Sequence, residues 1–142
     1  MRTLAAAALA AALGAAALGC GGDGAGGYGA PGGRETNLTV VFREDEQRPA
    51  SEQTWTLRCD PAEGSHPDPE EACARLAEVG AVAFEQRLDD RACAEIYGGP
   101  QRAAVTGTVD GEEVAATFRR RNGCEIEDWD RLLGLLPPGG VP

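Results

Sequence analysis

Apolar and polar positions alternate through the middle of this chain with the period of two that marks half-buried strands. Leu38, Val40 and Phe42 are spaced by Thr39 and Val41, giving a first strand with one buried face. Trp55, Leu57 and Cys59 alternate with Thr54, Thr56 and Arg58, giving a second. Between them, 43–53 is charged and carries Pro49, so it reads as an exposed connection. Val105–Val109 and Val114–Phe118 flank Asp110-Gly111, a strong hairpin signal.

The period lengthens twice. Asp68 is suited to cap a helix, Pro69 to occupy its first position, and Glu70 and Glu71 to face the positive end of its dipole. Ala72, Cys73, Leu76 and Val79 then form one apolar stripe, and Gly80 ends it. A second helix is expected from about 128, with Trp129, Leu132, Leu133 and Leu136 at helical spacing and Pro137-Pro138 as its stop. Strands of this kind with two helices predict an α+β domain built on a small antiparallel sheet.

The first nineteen residues break both patterns. After Arg2 they are almost entirely Ala, Leu and Gly, the composition of an export signal without a stop-transfer flank. Leu18-Gly19-Cys20 resembles a bacterial lipobox, which implies lipidation at Cys20 and a lipid anchor to the membrane; cleavage by an ordinary signal peptidase is the alternative. The Gly-rich stretch that follows cannot bury a core and reads as a flexible tether. The expected organisation is a signal peptide at 1–19, a tether at 20–36, one folded domain at 37–136 and a Pro/Gly tail at 137–142. The product is exported, either held at the cell surface or secreted.

Charge and cysteine count narrow the function. The net charge of -10, with every basic residue an arginine, argues against a nucleic-acid partner. Arg119-Arg120-Arg121 is the only basic run, and a solvated hairpin end accounts for it. Besides Cys20, the chain has Cys59, Cys73, Cys93 and Cys124, an even set that in an exported domain reads as two disulfides. Four cysteines allow three connectivities, which spacing alone leaves open.

Enzyme and cofactor readings find no support. The single histidine, His66, sits in Gly64-Ser65-His66-Pro67 without any hydrolase or metalloprotease motif, and shapes the turn before the helix. Cys59, His66 and Cys73 match no common zinc spacing. Glu127, Asp128 and Asp130 lack the glycine and spacing of a calcium loop and are placed in the first turn of the last helix. No metal and no cofactor is expected.

One segment remains, Ala94-Glu95-Ile96-Tyr97-Gly98-Gly99-Pro100, which starts next to Cys93. Together with Thr56-Leu57-Arg58-Cys59-Asp60-Pro61, Ala72-Cys73-Ala74-Arg75-Leu76 and Asn122-Gly123-Cys124-Glu125, it resembles the Streptomyces subtilisin inhibitor family in the same order along the chain. The resemblance implies a five-stranded antiparallel sheet with two helices, disulfides Cys59–Cys73 and Cys93–Cys124, and a homodimer formed through the sheet. It also implies inhibition of secreted serine proteases by a substrate-like loop of Cys93, Ala94, Glu95, Ile96, Tyr97 and Gly98, with the reactive bond between Glu95 and Ile96. Glu95 departs from the Met, Leu, Lys or Arg usual there and points to glutamyl-specific proteases, with subtilisins as further targets. Gly98-Gly99-Pro100 is richer in glycine than better-known members and is expected to loosen the loop. The competing reading is a non-inhibitory surface lipoprotein that uses the same fold for binding or structure.

Overall fold

Leu38, Val40 and Phe42 line the buried face of strand β1 (Asn37–Arg43), as their alternation requires. The computed structural model describes residues 34–85 and 91–139; the leader, Cys20, most of the tether and the last three residues lie outside them. β1 is the middle of five antiparallel strands in the order β3-β2-β1-β4-β5, with β2 at Glu52–Arg58, β3 at Glu63–Gly64, β4 at Arg102–Val109 and β5 at Glu112–Phe118. Val40 faces Trp55 on one side and Val105 on the other, so a single row of cross-strand neighbours carries the core across the sheet. The β4–β5 hairpin turns at Asp110 and Gly111, both at positive φ (51° and 81°), as a tight primed turn demands.

The five strands, two helices and two disulfides agree with the expected α+β class. Helix α1 (Pro69–Val79) begins and ends where its signals place it. The Asp68 carboxylate accepts the Glu71 N–H at 3.0 Å, and the Gly80 N–H donates to the Leu76 carbonyl at 2.8 Å. Ala72 and Leu76 are buried, and Cys73 meets Cys59 at the end of β2 with Cα atoms 5.6 Å apart. That disulfide takes both thiols of the zinc candidate.

The second helix corrects the expectation. α2 spans Gly123–Arg131, beginning five residues earlier and ending before the leucines. Asn122 is its cap, accepting the Glu125 N–H at 2.9 Å, while the Glu125 carboxylate reaches back to the Arg121 N–H at 2.7 Å. This resembles a capping box, except that the Glu125 carboxylate binds the N–H of Arg121, one residue before the cap, instead of that of Asn122 itself. Glu127, Asp128 and Asp130 therefore lie in the later part of the helix, not its first turn. Beyond Arg131 the chain folds into a tight turn through Gly134 (φ 102°), which buries Leu132, Leu135 and Leu136 and leaves Leu133 exposed. Leucines at helical spacing here reflect a compact turn closing the core, not a continuing helix. Among the described residues, no helix is long and apolar enough to cross a membrane.

Candidate functional site

The chain from Arg91 to Gly99 forms no strand or helix, and its centre projects from the domain. Ala94, Glu95, Ile96 and Tyr97 are all exposed, Ile96 at 56% and Tyr97 at 67%. Two neighbouring large apolar side chains left in water cost free energy that burial against a partner would recover.

Each end of this exposed stretch is fixed, and α2 supplies much of the fixing. On the N-terminal side, Cys93 is bonded to Cys124 in the first turn of α2, Cα atoms 5.3 Å apart. The first N–H groups of any helix lack partners within it. Here the Gly123 N–H donates to the Ala94 carbonyl at 2.8 Å, so the helix end satisfies one of its orphan donors with loop backbone. The same carbonyl accepts the Ile96 N–H at 2.9 Å, which closes a three-residue turn centred on Glu95. Glu95 therefore stands at the apex of a tight turn within the exposed segment.

On the C-terminal side, Gly98 is paired with Arg120 just past β5. The Gly98 N–H donates to the Arg120 carbonyl at 2.7 Å, and the Arg120 guanidinium donates to the Gly98 carbonyl at 2.9 Å. A Cβ on Gly98 would stand 2.8 Å from the Ile126 side chain and 3.2 Å from the Arg120 Cβ. Glycine is thus what lets the loop seat against α2. Instead of loosening the loop, Gly98-Gly99-Pro100 is its second anchor, and the Pro100 carbonyl accepts the Glu46 N–H at 2.9 Å.

The arginine run is not a solvated hairpin end. Arg120 is buried, at 8% exposure, with its guanidinium 5.9 Å from the centre of the Trp129 ring. Arg119 and Arg121 both reach the Glu46 carboxylate, Arg119 at 3.5 Å and Arg121 through its Nε at 3.1 Å. The hydrogen bond from Arg121, aided by the charge of Arg119, holds the Glu46 carboxyl below its ordinary range against a smaller opposing effect of burial; Glu46 in turn raises Arg121. The connection between β1 and β2 is tied in this way to the base of the exposed loop. Sequence reasoning missed Glu46 and Arg120 as supports, since three consecutive arginines do not reveal which one turns inward. The Asn122 cap was missed as well, although Asn three residues before Glu is the signal that could have placed the start of the helix carrying Cys124 and Gly123 to the loop.

His66 belongs elsewhere. Its Nδ1 accepts the Asp68 N–H at 3.1 Å and its Nε2 lies 2.9 Å from the Leu135 carbonyl, which places it in the turn before α1. Among the described residues, no group of three or more His, Cys, Asp or Glu side chains is placed to hold a metal ion.

Residues 33–122 match the family model described as subtilisin inhibitor-like. The chain is 37% identical over 81 residues to subtilisin inhibitor-like protein 1 of Streptomyces cacaoi, covering 54% of this chain and 73% of that one. With subtilisin inhibitor-like protein 8 of Streptomyces virginiae it shares 36% over 94 residues, 63% of this chain and 83% of the relative. With subtilisin inhibitor-like protein 5 of Streptomyces fradiae it shares 35% over 92 residues, 63% and 85% of the respective chains.

Proposed function

The chain belongs to the subtilisin inhibitor-like family, and from that premise we propose that it inhibits an exported serine protease through the segment Ala94–Tyr97, with Glu95–Ile96 as the reactive bond. Relatives named as subtilisin inhibitor-like proteins and as a subtilase-type protease inhibitor support protease inhibition as the activity. The observation that carries the finer reading is the exposed four-residue segment anchored on both sides, by Cys93–Cys124 and Gly123 before it and by Arg120 after it.

Binding follows from that arrangement. A substrate-like segment pairs its backbone with the edge of a protease cleft, while its side chains fill alternate pockets. A segment fixed at both ends loses less conformational entropy on docking than a free one. Glu95, at the apex, enters the specificity pocket, and Ala94 and Ile96 occupy the subsites beside it. A carboxylate is costly to bury without a partner. Glu95 therefore selects proteases whose pocket supplies cationic or hydrogen-bond donors, the glutamyl-specific class, ahead of those with apolar or acidic pockets.

The test is an active-site titration of a glutamyl endopeptidase, a subtilisin and trypsin with the chain and its Glu95→Lys variant. Stoichiometric inhibition of the glutamyl endopeptidase is expected, falling at least a hundredfold in Glu95→Lys as trypsin inhibition appears, since a pocket built around a charge discriminates strongly against its absence. Ordinary cleavage, or indifference across all three proteases, would sink the reading and favour a non-inhibitory binding role for the same fold.

A further inference from the structure

Cleavage of Glu95–Ile96 would leave two ends, each two residues from an anchor. The acyl end at Glu95 follows Cys93, which is covalently tied to α2. The amine end at Ile96 precedes Gly98, whose hold on the domain is the noncovalent pair with Arg120. The two sides of the loop are therefore secured by different chemistry.

Arg120 is an unexpected residue to find there. Burying a guanidinium is unfavourable unless charge and hydrogen bonds compensate, and an apolar side chain of similar volume is often no less stable. Among the described residues no carboxylate lies within ion-pair distance of Arg120, and its Nε is buried without a hydrogen-bond partner. Its compensations are the Gly98 carbonyl and the Trp129 ring. The tail passes close beside it: a Cβ on Gly139 would fall 1.2 Å from the guanidinium nitrogen that donates to Gly98. The guanidinium is enclosed by loop backbone, an indole and tail backbone, and among the described residues its one hydrogen bond is to the loop.

We infer that Arg120 is a positioning residue that holds the amine side of the reactive loop, and that it sets how often a cut loop is resealed. This rests on the inhibitory reading above. When a protease serine attacks the Glu95 carbonyl carbon, the serine ester forms as the Glu95–Ile96 amide breaks, and the Ile96 amine takes the proton. Resealing is the reverse: the amine attacks the ester, the amide re-forms and the serine regains its proton. It competes with water only while the amine stays close, so the tether on Ile96–Gly98 decides the partition.

The experiment compares the full chain with Arg120→Met, Arg120→Lys and Gly139→Ala. Amide hydrogen exchange at Gly98 needs no protease; it should accelerate at least tenfold in Arg120→Met while core amides such as Val40 and Val105 keep their rates. Arg120→Lys, which retains a donor, should fall between. Net hydrolysis of the loop by a glutamyl endopeptidase should rise at least tenfold in parallel. Should Arg120→Met not fold, Gly139→Ala displaces the guanidinium from outside and should give the same pair of changes. Gly98 exchange that is unchanged, or that rises only in step with Val40 and Val105, overturns the inference and leaves Arg120 a packing residue. If Gly98 exchange responds but the parent chain inhibits nothing, the positioning of the loop stands and the inhibitory reading fails.

Discussion

His66 shows what a single buried polar residue contributes to this domain. The Asp68 N–H can only donate, so Nδ1 is its acceptor, Nε2 carries the proton, and the Leu135 carbonyl receives it. One ring thus joins the start of α1 to the leucine-rich turn after α2, and it meets the Trp55 ring nearly at right angles, centroids 5.4 Å apart. In His66→Phe the ring contact survives, but a backbone donor and a backbone acceptor both lose their partner. The expected loss is about 1–3 kcal/mol in urea unfolding, with inhibition per folded molecule unchanged because His66 supports none of the loop's anchors. An unaltered midpoint would mean that water replaces both bonds. The turn-forming role of His66 was legible because Ser-His-Pro before a capped helix leaves it little else to do. The inward turn of Arg120 was not, because the Trp129 ring, the Gly98 carbonyl and the Gly139 backbone that surround it come from three separate parts of the chain.

Among the elements, α1 and the β4–β5 hairpin were read from their local signals, whereas α2 and the β1–β2 connection were not. α1 declared itself through Asp68, Pro69 and Gly80, and the β4–β5 hairpin through Asp110-Gly111. α2 was misplaced because the Leu132–Leu136 run mimics a helical stripe while Gly134 turns the backbone out of helical geometry. The connection between β1 and β2 looked like plain solvated chain, yet Glu46 within it braces Pro100, Arg119 and Arg121. That brace has a pH signature. The Glu46 carboxyl is lowered in the folded state from an ordinary value of 4.5, so its contribution to stability is complete above that value and is lost as pH falls through the lowered one. In Glu46→Gln, the melting temperature should fall less between neutral pH and about pH 3 than in the parent. The difference should shrink at high salt, since the pair is only partly shielded from solvent. Parallel curves for the two proteins would show that Glu46 gains nothing from its arginines.

At the scale of the molecule, the two disulfides divide into one that closes the core and one that arms the loop. Cys59–Cys73 joins the end of β2 to α1 across a separation of 14 residues; Cys93–Cys124 spans 31 and joins the loop to α2. In the chain-entropy model each contributes about 3–4 kcal/mol, so their removal should lower stability by comparable amounts. Their effects on activity should differ. The sheet pairings and the Cys59–Cys73 link of α1 to β2 do not include Cys93 or Cys124. A Cys93→Ser/Cys124→Ser double variant should therefore keep the sheet, yet leave the acyl side of the loop without its covalent tie, held by such noncovalent contacts as the Gly123–Ala94 hydrogen bond and the Arg91–Glu127 ion pair at 3.7 Å. Under the inhibitory reading it becomes a substrate, cleaved at Glu95–Ile96 at least tenfold faster than the parent at a temperature where both are folded. Cys59→Ser/Cys73→Ser should melt earlier by a similar margin and, below its melting range, inhibit as the parent does. Mass spectrometry of the cleaved loop beside circular-dichroism melts separates the two roles. Equal acceleration of cleavage in both variants would show that the loop depends on the stability of the whole domain and not on its own staple.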